Sequence, residues 1–267
     1  MPAVTTAETP TTRRRRTAFL FLAGVLGVAW ALPLFGFPSL ILGWFESGDR
    51  LSHRVHDLGY GVWGGLFMAV GYLSLLRAPE RRVAPFQQTA LALVALTVAV
   101  VLSVDFGTLL LAAGFAVLTA VLGVLHPARD RLVPRVEGPS VPLLALAALA
   151  AIPLTLYAVD MAALQRTGLP SDSHVAERHW SMMAAMALSI WLIGAQAAFR
   201  SPGWRISAWS AGLGAAVFGL ASTVFPAFPG SVGTTWGLVA LLGGVAFVAL
   251  AEWTLRRGPK RPPTASR

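Results

Sequence analysis

Eight apolar stretches, separated by short segments that hold nearly all the charges, constrain this sequence most strongly. A helix needs about 20 predominantly apolar residues to cross the hydrocarbon core of a bilayer. The stretches are continuous and rich in Ala and Leu, rather than alternating, and this pattern favours helices over strands. The predicted spans are residues 17–35, 58–76, two within 89–125, 141–159, 180–199, 206–225 and 236–255. The sequence therefore predicts an all-α, polytopic integral membrane bundle of eight transmembrane helices.

Composition excludes the other broad classes of protein. Only 12% of the residues are charged, whereas a soluble domain carries about 25%. The chain has no cysteine, which excludes a disulfide scaffold and any thiolate site. Its long apolar runs are atypical of intrinsic disorder. The lipid bilayer is thus the one partner that composition predicts, and nothing in the sequence specifies a protein partner.

The distribution of basic residues tests the number of spans, because cytoplasmic segments carry an excess of Lys and Arg. With both termini in the cytoplasm, 17 of the 21 basic residues fall inside and 7 of the 12 acidic residues fall outside. A seven-span chain would put one arginine cluster on the wrong side. The pattern predicts a multi-pass protein of the bacterial inner membrane with both termini cytoplasmic. The net charge of +9 has the same origin, so no nucleic acid partner is expected.

The chain divides into a membrane domain and two short tails. Residues 1–16 are predicted to be a disordered, basic cytoplasmic tail, 17–257 the membrane domain, and 258–267 a second cytoplasmic tail. A shift of 123 residues aligns several scarce residues, which suggests two parallel repeats, 17–135 and 140–257. The matched pairs are His56 and His179, Gly71 and Gly194, Arg77 and Arg200, Pro79 and Pro202, and Arg82 and Arg205.

Four of the five histidines are predicted to lie together near the outer boundary of the membrane. His53 and His56 precede the second span and are three residues apart, so on a helix they share a face. His174 and His179 precede the sixth span, which the repeat makes equivalent to the second. Ionisable groups at membrane depth are costly unless paired, and they are functional residues by default.

Carboxylates and a tyrosine accompany these histidines. Asp57 and Glu177 are the predicted candidates for a catalytic base or for orienting a histidine. Asp105, at the hinge between spans three and four, and Asp160, at the end of span five, are predicted with His174 and Tyr60 to contact a ligand.

Two chemistries and one simpler interpretation fit this cluster. His53, His56 and His179 would bind Zn²⁺ or a similar ion and leave one position open. The same groups would otherwise titrate near neutral pH and bind protons or a small polar ligand. In the simpler interpretation, the histidines and acids are hydrated and ion-paired, for example Asp57 with Arg54.

The residues near His179 bear on two other cofactors, copper and haem b. Met182 and Met183 follow it on the same helix, and a thioether beside an imidazole suits copper, although methionine more often fills gaps in helix packing. A haem b held between His56 and His179 has no specific support in the sequence.

The sequence thus predicts an extracytoplasmic pocket of histidines and carboxylates that binds a metal ion or a small polar ligand, for transport or sensing. One alternative is a membrane-embedded, metal-dependent hydrolase or lipid-modifying enzyme that uses the same residues. Another alternative is a structural membrane subunit without chemistry of its own.

Overall fold

A computed structural model describes residues 10–32, 36–133, 138–168 and 173–256, and these residues contain helices and no strand. The all-α prediction is therefore confirmed. The α-helices are α1 (Pro10–Ala31), α2 (Phe37–Leu42), α3 (Arg54–Tyr60), α4 (Val70–Ser74), α5 (Val83–Leu102), α6 (Phe106–Leu125), α7 (Val141–Thr167), α8 (Ser173–Ala176), α9 (His179–Ala198), α10 (Trp204–Val224) and α11 (Gly233–Arg256). A 3-10 helix, Gly48–His53, leads into α3, and a π-helix, Gly61–Ala69, joins α3 to α4.

Six of the described helices, α5, α6, α7, α9, α10 and α11, are long and apolar enough to cross a membrane. Two further segments correspond to predicted spans. One is α1, which begins with four arginines and becomes apolar only after them. The other runs from α3 through the π-helix to α4, so it is one helical rod of changing pitch rather than a single α-helix.

The helices form an inner group and an outer group. In α9, 83% of the most apolar stretch is buried, whereas in α7 the share is 17% and in α11 it is 22%. The rod formed by α3, the π-helix and α4 is also almost wholly buried, and it packs against α5, α9 and α10. The outer helices expose large apolar side chains such as Leu110, Leu149 and Leu242. This surface is apolar all along its length, as a bilayer environment requires.

Side-chain contacts define two opposite ends of the bundle. At one end, Arg15 near the start of α1 donates to the carbonyl oxygens of Val124, Leu125 and His126 at the end of α6. At the other end, Arg178 before α9 pairs with Asp105 before α6. All four clustered histidines lie at this second end, which we call the outer end.

Residues 10–16, which belong to the tail 1–16 that the sequence predicts to be disordered, are helical. Helix α1 begins at Pro10 and includes Arg13 to Arg16. Arginine is a good helix former, and contacts anchor two of these side chains: Arg15 binds the end of α6, and Arg16 lies 3.8 Å from Glu80. The remaining part of this tail, 1–9, and the predicted tail 258–267 lie outside the described residues.

The π-helix is held by a buried glutamine. The side-chain amide of Gln88 on α5 donates to the carbonyl oxygens of Leu66 and Phe67, at 3.0 and 2.9 Å. A π-helix bonds residue i to residue i+5 and often marks a functional site. Here the π-helix follows directly after α3, the helix that carries His56.

Candidate functional site

Four imidazole rings meet at the outer end of the bundle. His53 stacks on His174 with ring centroids 4.4 Å apart, and His56 stacks on His179 with centroids 5.1 Å apart. The two pairs also contact each other: the centroids of His53 and His179 are 4.9 Å apart, and those of His56 and His174 are 4.8 Å apart. The sequence prediction that these four histidines lie together is thus reproduced. We call them the histidine cluster.

The histidine cluster is buried. His56 is 0% exposed, and His53, His174 and His179 are each 3% exposed. Within the described part of the chain, neither ring nitrogen of His56 has a hydrogen-bond partner, and Nδ1 of His179 has none either. Burying a polar group without a partner costs free energy, commonly about 1–3 kcal/mol. This burial argues against the interpretation that the histidines are hydrated.

Two irregular segments bring the histidines together. The 3-10 helix Gly48–His53 places His53 at its end and passes directly into α3, which carries His56 one turn later. On the other side, α8 is a single turn that carries His174. Arg178 then adopts a left-handed backbone conformation, with φ of 62°, and α9 starts at His179. The chain therefore bends between the turn that carries His174 and the helix that begins at His179.

Asp105 supports this bend rather than the histidine cluster. Its carboxylate pairs with the Arg178 guanidinium and also accepts a hydrogen bond from the backbone nitrogen of Thr108 at 3.1 Å, which caps α6. The guanidinium lies directly over Gly107, where a Cβ atom would collide with it. The predicted role of Asp105 in contacting a ligand remains a prediction, and its structural role is to fix the turn before His179.

Polar contacts orient three of the four rings. Nε2 of His53 lies 3.1 Å from the Ser173 hydroxyl, and Nε2 of His174 lies 3.4 Å from the carbonyl oxygen of Ser52, to which it can donate. Nε2 of His179 lies 3.3 Å from Oε2 of Glu177. A carboxylate or carbonyl on one nitrogen fixes the tautomer and turns the other nitrogen toward a ligand.

Carboxylates surround one arginine at the rim of the cluster. The Arg50 guanidinium lies 3.0 Å from Asp57, 3.0 Å from Glu177 and 3.8 Å from Glu46. Arg50 and Glu177 are 47% and 43% exposed, whereas Asp57 is 13% exposed. The sequence suggested Arg54 as the partner of Asp57, but Arg54 instead donates to the carbonyl oxygen of Glu46 and lies over the Phe225 ring. We call Arg50 and its three carboxylates the rim.

Burial changes two pKa values outside the spans. It raises the pKa of Glu46 to about 8, and the hydrogen bond and negative charge of Asp57 add to the rise. Burial also lowers the pKa of His53 from its ordinary value, and the neighbouring His174 and Arg50 lower it further. A histidine of low pKa is neutral at physiological pH, which is the state that binds metals.

The other predicted site residues take different positions. The Tyr60 ring contacts His179, with centroids 5.4 Å apart, and its hydroxyl donates to the carbonyl oxygen of Glu177 at 3.1 Å. Asp160 is exposed on α7 and is not brought into the contacts of the histidine cluster that the described residues make. Tyr60 therefore packs against the histidine cluster, whereas Asp160 lies apart from it.

The loop between α10 and α11 closes the inner side of His56. Gly230 has φ of 78°, and a Cβ atom there would lie 3.0 Å from Nε2 of His56. The Tyr157 hydroxyl donates to the carbonyl oxygen of Gly230 at 2.6 Å and holds the loop in place. Position 230 therefore favours glycine for two reasons: the positive φ angle, and the close approach of the His56 ring, which leaves little room for a Cβ atom.

The geometry fits a metal ion better than a haem. His53, His174 and His179 each offer a ring nitrogen, and these three atoms lie within 4.8 Å of one another. His56 contacts two of these rings. The stacked rings of His56 and His179, 20° from parallel, leave no gap for a porphyrin. Met183, considered for copper, places its sulfur against Gly59, a packing contact.

Comparison of this chain with models of protein families, with curated proteins and with solved structures finds no match.

Several residues of the site carried no sequence signal that singled them out. In the sequence, Arg50 and Glu46 stand out only as charged residues of the segment before the second predicted span. Their spacing of four residues is nevertheless that of a helical ion pair. Ser52 and Ser173 flank histidines in the sequence, which is the one hint that they orient rings. Nothing in the sequence connects Gly230 with His56, because the contact depends on how a distant loop folds.

Proposed function

We propose that this chain is a bacterial inner-membrane protein that binds a divalent transition-metal ion, Zn²⁺ in the first instance, at the histidine cluster, for transport or sensing. The observation that carries the proposal is the fully buried ring of His56, which has no hydrogen-bond partner on either nitrogen among the described residues and lies among three other imidazoles.

The distances support this proposal with a small adjustment. Metal–nitrogen bonds of about 2.0–2.1 Å in a tetrahedral site put two ligand nitrogens about 3.3 Å apart. The nitrogens of His53, His174 and His179 lie within 4.8 Å of one another. Side-chain rotations that move each nitrogen by about 1 Å would therefore bring all three within bonding distance of one ion. His56 is then the natural fourth ligand, or the ring against which the site closes.

The donor set favours zinc and its neighbours in the first transition row. The chain has no cysteine, so imidazole nitrogen is the softest donor in contact with the cluster, and it suits zinc, nickel and copper alike. Copper with a thioether ligand is less well supported, because the sulfur of Met183 packs on Gly59.

The topology proposed for this function has eight spans and two cytoplasmic termini. It is supported by the position of the arginine-rich start of α1 at the end of the bundle opposite the histidine cluster. Tandem repeats, 17–135 and 140–257, are supported by matched helix packing. Helix α5 packs on α9 as α10 packs on the rod from α3 to α4, and α1 packs on α6 as α7 packs on α11.

A metal-dependent hydrolase or lipid-modifying enzyme is a second candidate, favoured by Glu177. Three histidines that leave an open position, with a carboxylate nearby, are the usual composition of a hydrolytic zinc site. Oε2 of Glu177 lies 3.3 Å from Nε2 of His179 and 3.0 Å from Arg50. These contacts favour a role in orienting His179, which serves binding as well as catalysis.

Metal content of the purified protein tests the binding proposal. The protein would be purified without a histidine tag, equilibrated with Zn²⁺ in detergent, freed of unbound metal and analysed by mass spectrometry. We expect one ion per chain in the wild type and none in the triple variant His53→Gln, His174→Gln, His179→Gln.

The fifth histidine provides the matched control. His126 is buried at the opposite end, where Nδ1 accepts a hydrogen bond from the backbone nitrogen of Ala128 at 3.0 Å. His126→Asn keeps an acceptor there and should retain one ion. Equal metal content in the wild type and the triple variant would contradict the proposal.

A further inference from the structure

The arginine at the rim joins carboxylates from two separate segments of the chain. Arg50 contacts Asp57 from α3 and Glu177 from the turn before α9, both at 3.0 Å. Oε2 of Glu177 is also the atom that lies 3.3 Å from His179. One carboxylate oxygen is thus shared between the arginine outside and a histidine inside.

Exposure increases from the histidine cluster to the rim. His179 is 3% exposed and Asp57 is 13% exposed, whereas Arg50 is 47% exposed. Asp57 is thus nearly buried, whereas Glu177, 43% exposed, contacts both the buried His179 and the exposed Arg50 and so connects the cluster with water on this side. Carboxylates in such a position attract cations and concentrate them before binding.

The guanidinium cancels that attraction while it stays in place. Arginine keeps its charge at every physiological pH and cannot accept a hydrogen bond, so it is a permanent cation held by Asp57, Glu177 and the carboxyl group of Glu46. Half-exposed ion pairs are weak, and nearly half of the Arg50 side chain faces water, so its release from these pairs should cost little free energy.

We propose that Arg50 is a gate of the histidine cluster: an incoming divalent cation replaces its guanidinium between Asp57 and Glu177 and then passes to the imidazoles. The inference rests on the proposed function and adds the route of access to it. After replacement, Glu177 would hand the ion to His179, since the same carboxylate oxygen already faces both groups.

A gating role and a structural role of Arg50 predict opposite effects of its removal on the rate of metal binding. A purely structural Arg50 would, when removed, loosen the site and slow or weaken metal binding. A gate would, when removed, open the site and speed binding. Arg50→Gln keeps hydrogen-bonding capacity and removes the charge, and Arg50→Lys keeps the charge.

The experiment is stopped-flow transfer of Zn²⁺ from a chromophoric chelator to the detergent-purified protein. We expect the association rate constant of Arg50→Gln to exceed that of the wild type by at least about tenfold, and that of Arg50→Lys to lie close to the wild type. Arg166→Gln is the control, because Arg166 is an exposed arginine of the outer end that donates to the carbonyl oxygen of Leu102. Its rate should match the wild type.

The dependence of the association rate constant on ionic strength is a second readout. It remains informative even if a variant is modestly less stable than the wild type. The rate for Arg50→Gln should fall more steeply with ionic strength than the rate for the wild type, because uncovered carboxylates steer the ion. An unchanged or slower rate in Arg50→Gln, with one Zn²⁺ still bound at equilibrium, would overturn the gate alone. A wild type that binds no Zn²⁺ at equilibrium would overturn the proposed function and the gate with it.

Discussion

The imidazole rings of His56 and His179 stack 5.1 Å apart, with 20° between their planes, although 123 residues separate them in the chain. They belong to two inner helical segments that the repeat would make equivalent. Both lie within a layer of four buried histidines. This contact is what makes a metal site the best account of the outer end.

Replacing His56 with an apolar residue tests whether its ring is kept for binding. His56→Leu removes a buried ring that has no hydrogen bond to any residue that the structure describes, so we expect the free energy of unfolding without metal to change by less than about 1.5 kcal/mol. Zinc at 100 times its dissociation constant should stabilise the wild type by about 2.7 kcal/mol, and the variant by much less. Thermal unfolding in detergent with and without Zn²⁺ measures both quantities. An equal metal-dependent shift in the two proteins would exclude His56 as a ligand.

The turn before α9 can be disturbed from a distance through Gly107. A Cβ at this position would collide with the Arg178 guanidinium, so Gly107→Ala should displace Arg178 from Asp105 and destabilise the protein by about 0.5–3 kcal/mol. Zinc affinity should fall as well, because His179 follows this turn.

Gly114, on the same helix, is the matched control for this prediction. A Cβ there would have no atom within 4 Å, and Gly114→Ala should raise stability by up to about 1 kcal/mol. Equal stability of the two alanine variants would show that the contact of Arg178 with Gly107 does not hold the turn.

Gln88 should matter for stability because it serves the π-helix. Gln88→Leu removes the two hydrogen bonds to the carbonyl oxygens of Leu66 and Phe67, and we expect a loss of about 1–3 kcal/mol. Thr97→Val, on the same helix, removes only a bond to its own helix at Leu93 and should have little effect. Chemical unfolding of both variants compares them, and equal losses would argue against a special role for Gln88.

Glu46 should make stability fall as pH rises. Its pKa is about 8 in the folded protein, against an ordinary value of 4.5, chiefly because of burial. The folded state therefore holds this proton more tightly than the unfolded state does, and stability decreases with rising pH between about 5 and 8. Glu46→Gln should flatten this part of the curve and be more stable than the wild type at pH 8.

The matched control for the pH prediction is Asp49→Asn, a substitution at an exposed acid of the neighbouring 3-10 helix. It should keep the wild-type slope. Unfolding midpoints in buffers from pH 5 to pH 8 measure the three curves. A Glu46→Gln curve parallel to the wild type would refute the prediction.

The sequence predicted the parts of this fold that depend on hydrophobicity and charge. Long apolar runs predict helices well, and six of the eight predicted spans correspond to described helices long and apolar enough to cross a membrane. The gathering of His53, His56, His174 and His179 was predictable because topology alone puts them at one end.

Features that depend on side-chain packing were not predictable in the same way. No local pattern shows that Gln88 would reach the carbonyl oxygens of Leu66 and Phe67, or that Gly230 would face His56. Asp57 was expected beside Arg54, its neighbour in sequence, but the turn of the 3-10 helix brings Arg50 to it instead. The sequence did not predict the helical start of α1, because a run of arginines is typical of a flexible tail. Its order in the structure depends on the contacts of Arg15 with the carbonyl oxygens at the end of α6.

X-ray absorption spectroscopy of the zinc-loaded protein tests the central claim most directly. We predict three or four imidazole nitrogens around Zn²⁺ at about 2.0–2.1 Å, with the multiple scattering that histidine rings produce. We also predict that His126→Asn leaves this spectrum unchanged. A zinc shell made of oxygen atoms alone, or one with fewer than two imidazoles, would contradict the account.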